Sequence, residues 1–332
     1  MSKVVITGVA GLLGQHLSRY LLDQGHYVIG IDDLSGGYYE FLPQHDDFQW
    51  LEFDLANDYS ILKSLFQTYK PDVCYHFAAY AAEGLSPFIR KYNYVNNVVA
   101  SANVINSCIT HDCKLVFTSS MAVYGNSKPP FTESMTPKPI DPYGIAKYAV
   151  EMDIQCASEQ HGLRHNIIRP HNVLGIYQNI WDRYRNVIGI FIRKTLNNEP
   201  MIIYGDGSQV RAFSDIQYYL KPFAELMSDT YNGEIFNIGA DKYWSILDVA
   251  KMVEKIGLQE GYQSEIVFAE PRHEVKEAYC SHAKAKLLLD FNDETNLENL
   301  VREMFNWAKD QKSRETRHMD YEITKGIYEY WK

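Results

Sequence analysis

A tyrosine and a lysine four residues apart can do proton chemistry that neither does alone, and Asp141-Pro142-Tyr143-Gly144-Ile145-Ala146-Lys147 has that spacing. Asp141 can accept hydrogen bonds from free first-turn amides as an N-cap, and Pro142 suits a first helical position, where the missing N–H costs nothing. A helix starting there stacks Tyr143 and Lys147 on one face. A phenol with a pKa of about 10 is a poor base at neutral pH. A lysine ammonium about 5 Å away, at an effective dielectric of about 20, favours the phenolate by roughly 3 kcal/mol. That is roughly two pKa units, enough for general-base work. Because the chain holds 25 tyrosines, an exposed helix with Tyr and Lys one turn apart is also an ordinary occurrence. The pair gains meaning only in front of a nucleotide site.

The N-terminus offers one. Residues 4–7, Val-Val-Ile-Thr, read as a buried parallel strand that runs into Gly8, Gly11 and Gly14 and then into a helical pattern. Glycines three apart at such a turn let the backbone approach a pyrophosphate at a helix N-terminus. A second strand ends at Asp32, 18 residues after Gly14. A carboxylate there accepts from a ribose and repels a 2′-phosphate, which favours NAD over NADP. Asp33 reads as a solvated turn carboxylate. Asp54, after a third strand over residues 48–53, fits either the adenine edge or a helix cap. His76, on an apolar fourth strand, reads as a core histidine rather than a catalyst. That strand opens into Ala78-Ala79, small enough for a cofactor backbone. A helix over residues 87–111 and a fifth strand over 114–118 follow. Ser119 and Ser120 then stand at a strand's carboxyl end, where open α/β sheets place their chemistry. A pair of serines closing a strand is the plain alternative.

After a sixth strand at residues 166–169 the alternation weakens, so the expected divide lies near residue 170: a dinucleotide-binding domain over 1–170, and a substrate domain over 171–332 with some segments returning to the first sheet. The expected fold is α/β, a Rossmann-like doubly wound parallel sheet with a smaller mixed α/β domain. Residues 177–186 carry Arg183 and Arg185 among Tyr, Trp and Asn, a polar-ligand composition. Arg211 and Arg272 could clamp a diphosphate bidentately; each also reads as a surface charge. Helices are expected at 187–196, 245–256, 283–289 and 296–312. The tail 320–332 is expected to be helical, with a Tyr/Trp face used for packing.

The bulk properties limit the partners. A formal charge of −10 and a pI near 5.6 argue against nucleic acid or an anionic membrane. Cys74, Cys108, Cys113, Cys156 and Cys280 form no metal-ligand spacing, so no metal is expected and a reducing, cytoplasmic setting is the simplest reading. No signal peptide precedes the first strand and no apolar run reaches membrane-spanning length.

Taken together, the motifs resemble the extended short-chain dehydrogenase/reductase family and, within it, the NAD-dependent nucleotide-sugar epimerases and dehydratases, with UDP-glucose 4-epimerases the nearest type. The resemblance rests on TGVAGLLG (7–14), Asp32, Asp54-Leu55, HFAA (76–79), Asn96-Asn97-Val98, SSMAVYG (119–125), YGIAK (143–147), RPHNVLG (169–175), GDGSQVR (205–211) and FNIG (236–239), in order. It implies that Gly8, Gly11, Leu12, Leu13 and Gly14 hold the NAD pyrophosphate, that Asp32 holds the ribose, and that Asp54 and Leu55 face the adenine. It further implies that Ala78, Ala79 and Asn97 lie beside the cofactor, with Tyr143 and Lys147 as the catalytic pair and Ser120 as the catalytic hydroxyl. Asn172, Asn186, Arg211 and Arg272 would hold a nucleotide diphosphate. A homodimer through helices 87–111 and 144–160 is implied as well. The departures narrow the reaction. Dehydratases of this type carry Asp-Glu where Met121-Ala122 stands, decarboxylating relatives carry Glu, and 3,5-epimerising ones carry Cys, so none of those chemistries is favoured. His171 and Leu174 replace aromatic residues usual in that motif, Ala212 replaces an Asp, and residues 80–86 lack the sugar-contacting pattern of UDP-galactose epimerases. The expected activity is C4 epimerisation of a UDP-hexose through a 4-keto intermediate. A 4,6-dehydratase, a nucleotide-sugar reductase and an NAD-sensing binding protein are the alternatives.

Overall fold

Seven short apolar runs pair in parallel: β1 (Lys3–Thr7), β2 (Tyr27–Asp32), β3 (Phe48–Glu52), β4 (Val73–His76), β5 (Lys114–Thr118), β6 (His165–Pro170) and β7 (Ile235–Ile238). Their order across the sheet is β7-β6-β5-β4-β1-β2-β3. The computed structural model describes every residue except Arg185, His273, Thr316, Arg317 and Lys332. Both faces are covered, which is why the strands read as continuous rather than alternating apolar runs. Val4 and Ile6 join one core with helix α1 (Leu12–Asp23); Val5 joins the other, with helix α2 (Tyr59–Tyr69). Strand order reverses between β1 and β4, the point where such sheets open a ligand crevice.

The helix beyond β4 does not run unbroken over residues 87–111. A 3₁₀ turn at Ser86–Phe88 leads into a helix at Arg90–Tyr94, a π-helical turn at Val95–Val99, and then helix α3 (Ala100–Thr110). Helix α4 (Pro142–His161) starts as expected: Asp141 Oδ1 accepts from Gly144 N at 2.9 Å with Pro142 at the first position.

Past residue 170 the chain returns to the first sheet. β7 pairs with β6, and helix α5 (Gln217–Glu225), absent from the sequence expectation, packs Tyr219, Leu220 and Phe223 into the core of β1 and α1. Pro222 inside that helix hides its pattern from a local reading. The remainder is mixed α/β. Short strands Met201–Tyr204 and Ile266–Ala269 pair in parallel, and helices Val187–Leu196, Ile246–Gln259 and Leu297–Lys309 enclose a separate apolar cluster.

The tail departs from expectation. It is not helical over 320–331 except for one 3₁₀ turn at Glu329–Trp331. Gly326 adopts a positive φ of 78°, which breaks any helix, and Tyr328 and Trp331 fold back against Phe88. Glu322 accepts from the amides of Lys91 and Tyr92 at 2.7 and 2.8 Å, satisfying the start of the helix there.

Candidate active site

The glycines divide their work. Gly8 has φ +70°, and a Cβ on it would lie 2.7 Å from Ala78 N; a Cβ on Gly14 would lie 2.4 Å from Gly8 O. Only glycine lets β1, β4 and α1 approach this closely. Gly11 is less confined, its Cβ position lying 3.2 Å from Gly8 O. The first intrahelical bond of α1 is Gln15 N to Gly11 O at 3.0 Å, so the amides of Leu12, Leu13 and Gly14 precede the helical ladder.

Above this turn lies a cleft of about 700 Å³ lined by Gly8, Gly11, Asp32, Asp54, Leu55, Ala78 and Ala79 among others. Asp32 closes the turn: Oδ2 accepts from Ala10 N at 2.9 Å and Oδ1 from Leu34 N at 2.8 Å. Asp54 does both things that were left open. It lines the cleft, and it braces the following turn by accepting from Ala56 N at 2.7 Å and Asn57 Nδ2 at 2.6 Å. Gly37 was not anticipated; a Cβ there would lie 2.3 Å from Ala10 O, so the loop after β2 rests directly on the glycine turn. The Gly36-Gly37 pair was the available signal. An open floor bounded by the carboxylate of Asp32 fits an extended dinucleotide.

Asn97 is a correction. Rather than facing the cleft it is enclosed, 1% exposed, with Oδ1 accepting from Tyr80 N at 3.0 Å and Nδ2 donating to Asn93 Oδ1 at 2.8 Å. Asn96 lines the cleft instead. The π-helical turn at Val95–Val99 offsets which side chains look outward.

At the carboxyl end of β5 the expected chemistry comes together. Lys147 Nζ donates to Thr118 O at 2.8 Å and lies 5.9 Å from the Tyr143 ring centroid. Burial pulls the Lys147 amine down to about 7, with Glu151 opposing. Ser120 Oγ accepts from Ala122 N at 3.1 Å, which orients an acceptor lone pair inward and leaves the hydroxyl proton to donate. Ser119 Oγ and Thr118 Oγ1 are buried with no hydrogen-bond partner among the described residues. Ser86, which sequence reasoning passed over, accepts from Tyr143 N at 3.2 Å and reaches Asp141 Oδ1 at 3.4 Å. His76 is a buried core residue, bonded to Thr7 Oγ1 at 2.7 Å and Ser101 Oγ at 2.9 Å.

The four residues expected to hold a diphosphate are placed as follows. Asn172 has φ +40° and donates to Ala212 O at 2.9 Å. Asn186 caps the helix at Val187 by accepting from Gly189 N at 3.4 Å, and its buried Nδ2 has no partner among the described residues. Arg211 donates to the carbonyls of Val210, Val275 and Lys276 and lies 3.5 Å from Glu274. Arg272 stacks over Tyr204 at 4.0 Å, with Tyr328 and Trp331 of the tail beyond. Neither arginine is a plain surface charge. Arg183 donates to Tyr330 O at 3.0 Å, so it serves the tail; Arg185 lies outside the described residues.

Known proteins repeat this layout. The model of the NAD dependent epimerase/dehydratase family matches residues 4–239. A putative UDP-glucose 4-epimerase of Methanocaldococcus jannaschii is 30% identical over 310 residues, covering 92% of this chain and 98% of its own. Among solved structures, the UDP-glucose 4-epimerase of Thermotoga maritima with UDP-glucose aligns with a TM-score of 0.86 at 28% identity, over 92% of this chain and 98% of that one. The UDP-glucuronic acid 4-epimerase of Bacillus cereus, in complex with UDP-glucuronic acid and NAD, aligns with a TM-score of 0.83 at 26% identity, over 92% and 99%. A match running from the glycine turn to the end of β7 fixes the kinship, and the chain belongs to the NAD dependent epimerase/dehydratase family.

Proposed function

We propose that this enzyme interconverts C4 epimers of a UDP-hexose through a 4-keto sugar. The observation that carries the reading is the triangle of Ser120, Tyr143 and Lys147 at the end of β5, beside Met121 and Ala122, which cannot move protons. Tyr143, as phenolate, takes the proton of the C4 hydroxyl. Lys147 stabilises that phenolate, and Ser120 donates a hydrogen bond to the same sugar oxygen. When bound, NAD supplies the acceptor for the C4 hydride and the donor that returns it, so none is consumed. Gly8, Gly11 and Gly14, with the first amides of α1 and Asp32, would hold it. Asn172, Asn186, Arg211 and Arg272 would hold the diphosphate, leaving the sugar free to present its other face. Elimination of water needs an acid and a base next to Ser120, and Met121-Ala122 provides neither.

Two further points belong to this reading. Val99, Ile145 and Met152 are exposed apolar side chains on the π turn before α3 and on α4, which supports a homodimer packed through those helices. Five unpaired cysteines support a reducing, cytoplasmic setting, and no helix among the described residues is long and apolar enough to cross a membrane.

The test is product analysis by NMR and mass spectrometry on a panel of UDP-, GDP-, CDP- and dTDP-sugars, with NADH followed optically. A C4 epimer with no net NADH is expected. A 4-keto-6-deoxy sugar would make the protein a dehydratase, and stoichiometric NADH a net oxidoreductase. No turnover with NAD bound would leave an NAD-sensing protein.

A further inference from the structure

The turn between β4 and the helix at Arg90 is tied at both ends to the proposed site. Ser86 holds Tyr143 N and Asp141, while a Cβ on Gly84 would lie 3.9 Å from Arg272 Nη1 and 3.8 Å from the Trp331 ring. Between them stands Glu83, whose backbone carbonyl accepts from Ser86 and whose carboxylate has no hydrogen bond among the described residues. The side chain is exposed, yet Asp141, Arg211, Glu274 and Arg272 all act on it electrostatically. Its exposure is therefore to a walled cleft and not to open solvent. One pole of that field is two residues from Tyr143, where C4 of the sugar must sit. The other is the pair of arginines placed to hold the diphosphate. A hexose spanning those two points has to pass the Glu83 carboxylate.

We propose that Glu83 sets the sugar specificity of this enzyme, accepting hydrogen bonds from the hydroxyls of a neutral hexose and excluding a hexuronic acid. The inference rests on the C4-epimerase reading and adds the substrate class to it. Like charges brought together in a partly desolvated cleft repel strongly, and a uronate carboxylate would meet Glu83 with Asp141 and Glu274 close behind. The enclosing walls, Asp141 and Glu274 already push the Glu83 carboxyl up to about 7, against the pull of Arg211 and Arg272. The site thus resists the negative charge it has, and a second would be less welcome still.

The experiment compares UDP-glucose with UDP-glucuronate, by product NMR, on the wild-type enzyme and on Glu83→Gln, which keeps the shape and removes the charge. Wild-type kcat/KM for the uronate should be at least about 100-fold lower. Glu83→Gln should close at least about tenfold of that gap, through a gain on the uronate. Equal use of both sugars by the wild type, or an unchanged ratio in Glu83→Gln with normal melting temperature and NAD content, would overturn the proposal. Calorimetric titration of both nucleotide sugars onto the NAD-loaded proteins reads the same discrimination without turnover. A Glu83-dependent preference for the neutral sugar with no epimerisation would defeat the proposed reaction and leave this inference standing. Epimerisation of both sugars alike would do the reverse.

Discussion

Lys147 Nζ is held 5.9 Å from the centre of the Tyr143 ring by a hydrogen bond to Thr118 O, the last carbonyl of β5. The amine is thus fixed by the sheet, not by its own flexible chain, and the phenol is fixed by Ser86 at its backbone. A base positioned from two independent elements meets its substrate without reorganising.

Tyr143→Phe removes the proton acceptor and nothing else, because the ring fills the same space. Turnover should fall by about 10² to 10⁴, the usual worth of a general base. NAD content and melting temperature should stay at wild-type values. Near-normal kcat in a folded, NAD-loaded variant would remove Tyr143 from the reaction.

Lys147 should lower the stability of the protein it serves. Its amine sits at about 7 against about 10.4 in an unfolded chain. Between those values the unfolded state binds the proton more tightly, so the penalty is full below pH 7 and fades as pH rises toward 10.4. Lys147→Met removes it, less the hydrogen bond to Thr118 O, and should stabilise the NAD-free protein by roughly 2 kcal/mol at pH 7. Thermal unfolding at pH 7 and pH 9.5 checks this: the gain should shrink at the higher pH, while activity is lost at both.

Much of this arrangement was legible locally. Asp141 and Pro142 announce the start of α4, and the apolar runs at residues 4–7 and 114–118 announce buried parallel strands. What escaped depends on partners far apart in the chain. Asn96 and Asn97 look alike in sequence, and only a π turn decides which of them faces the cleft. The tail shows no break signal stronger than Gly326, because its course is set by Phe88 and Tyr184 rather than by its own periodicity. Glu83 carries no local pattern at all; its meaning comes from Asp141, Arg211 and Arg272, each more than 50 positions away.

Acid should unfold the protein earlier than its carboxylates require. Burial holds both His76 and His171 neutral, down to about 3, with Lys147 and His282 respectively adding to the effect. Unfolded histidine titrates at about 6.5, so the stability from keeping them neutral is complete above about 6.5 and is lost as pH falls toward 3. With two protons taken up on unfolding, the slope approaches about 2.7 kcal/mol per pH unit. Urea midpoints between pH 6.5 and 5, above the carboxylate range, should show it. His171→Phe should halve the slope, whatever it does to absolute stability.

Three motifs with no assigned role meet in one buried network. Arg169 of β6 donates from Nε and Nη2 to Glu151 of α4 at 2.9 and 2.5 Å and from Nη1 to Tyr124 OH at 2.8 Å; that hydroxyl donates to Asn237 of β7 at 2.8 Å. The turn bearing Ser120 ends at Tyr124, so this network fastens the catalytic hydroxyl to the sheet. Arg169→Met would leave Glu151, 1% exposed, as an uncompensated charge, at a cost of about 3–5 kcal/mol. Pairing it with Glu151→Leu removes the second charge and should recover most of that stability. Activity should not recover with it, because Tyr124 still lacks its donor and the Ser120 turn is loosened. A double variant with restored unfolding midpoint and kcat still down by about tenfold or more would separate the two roles. Recovery of both together would mean that the ion pair serves the fold alone.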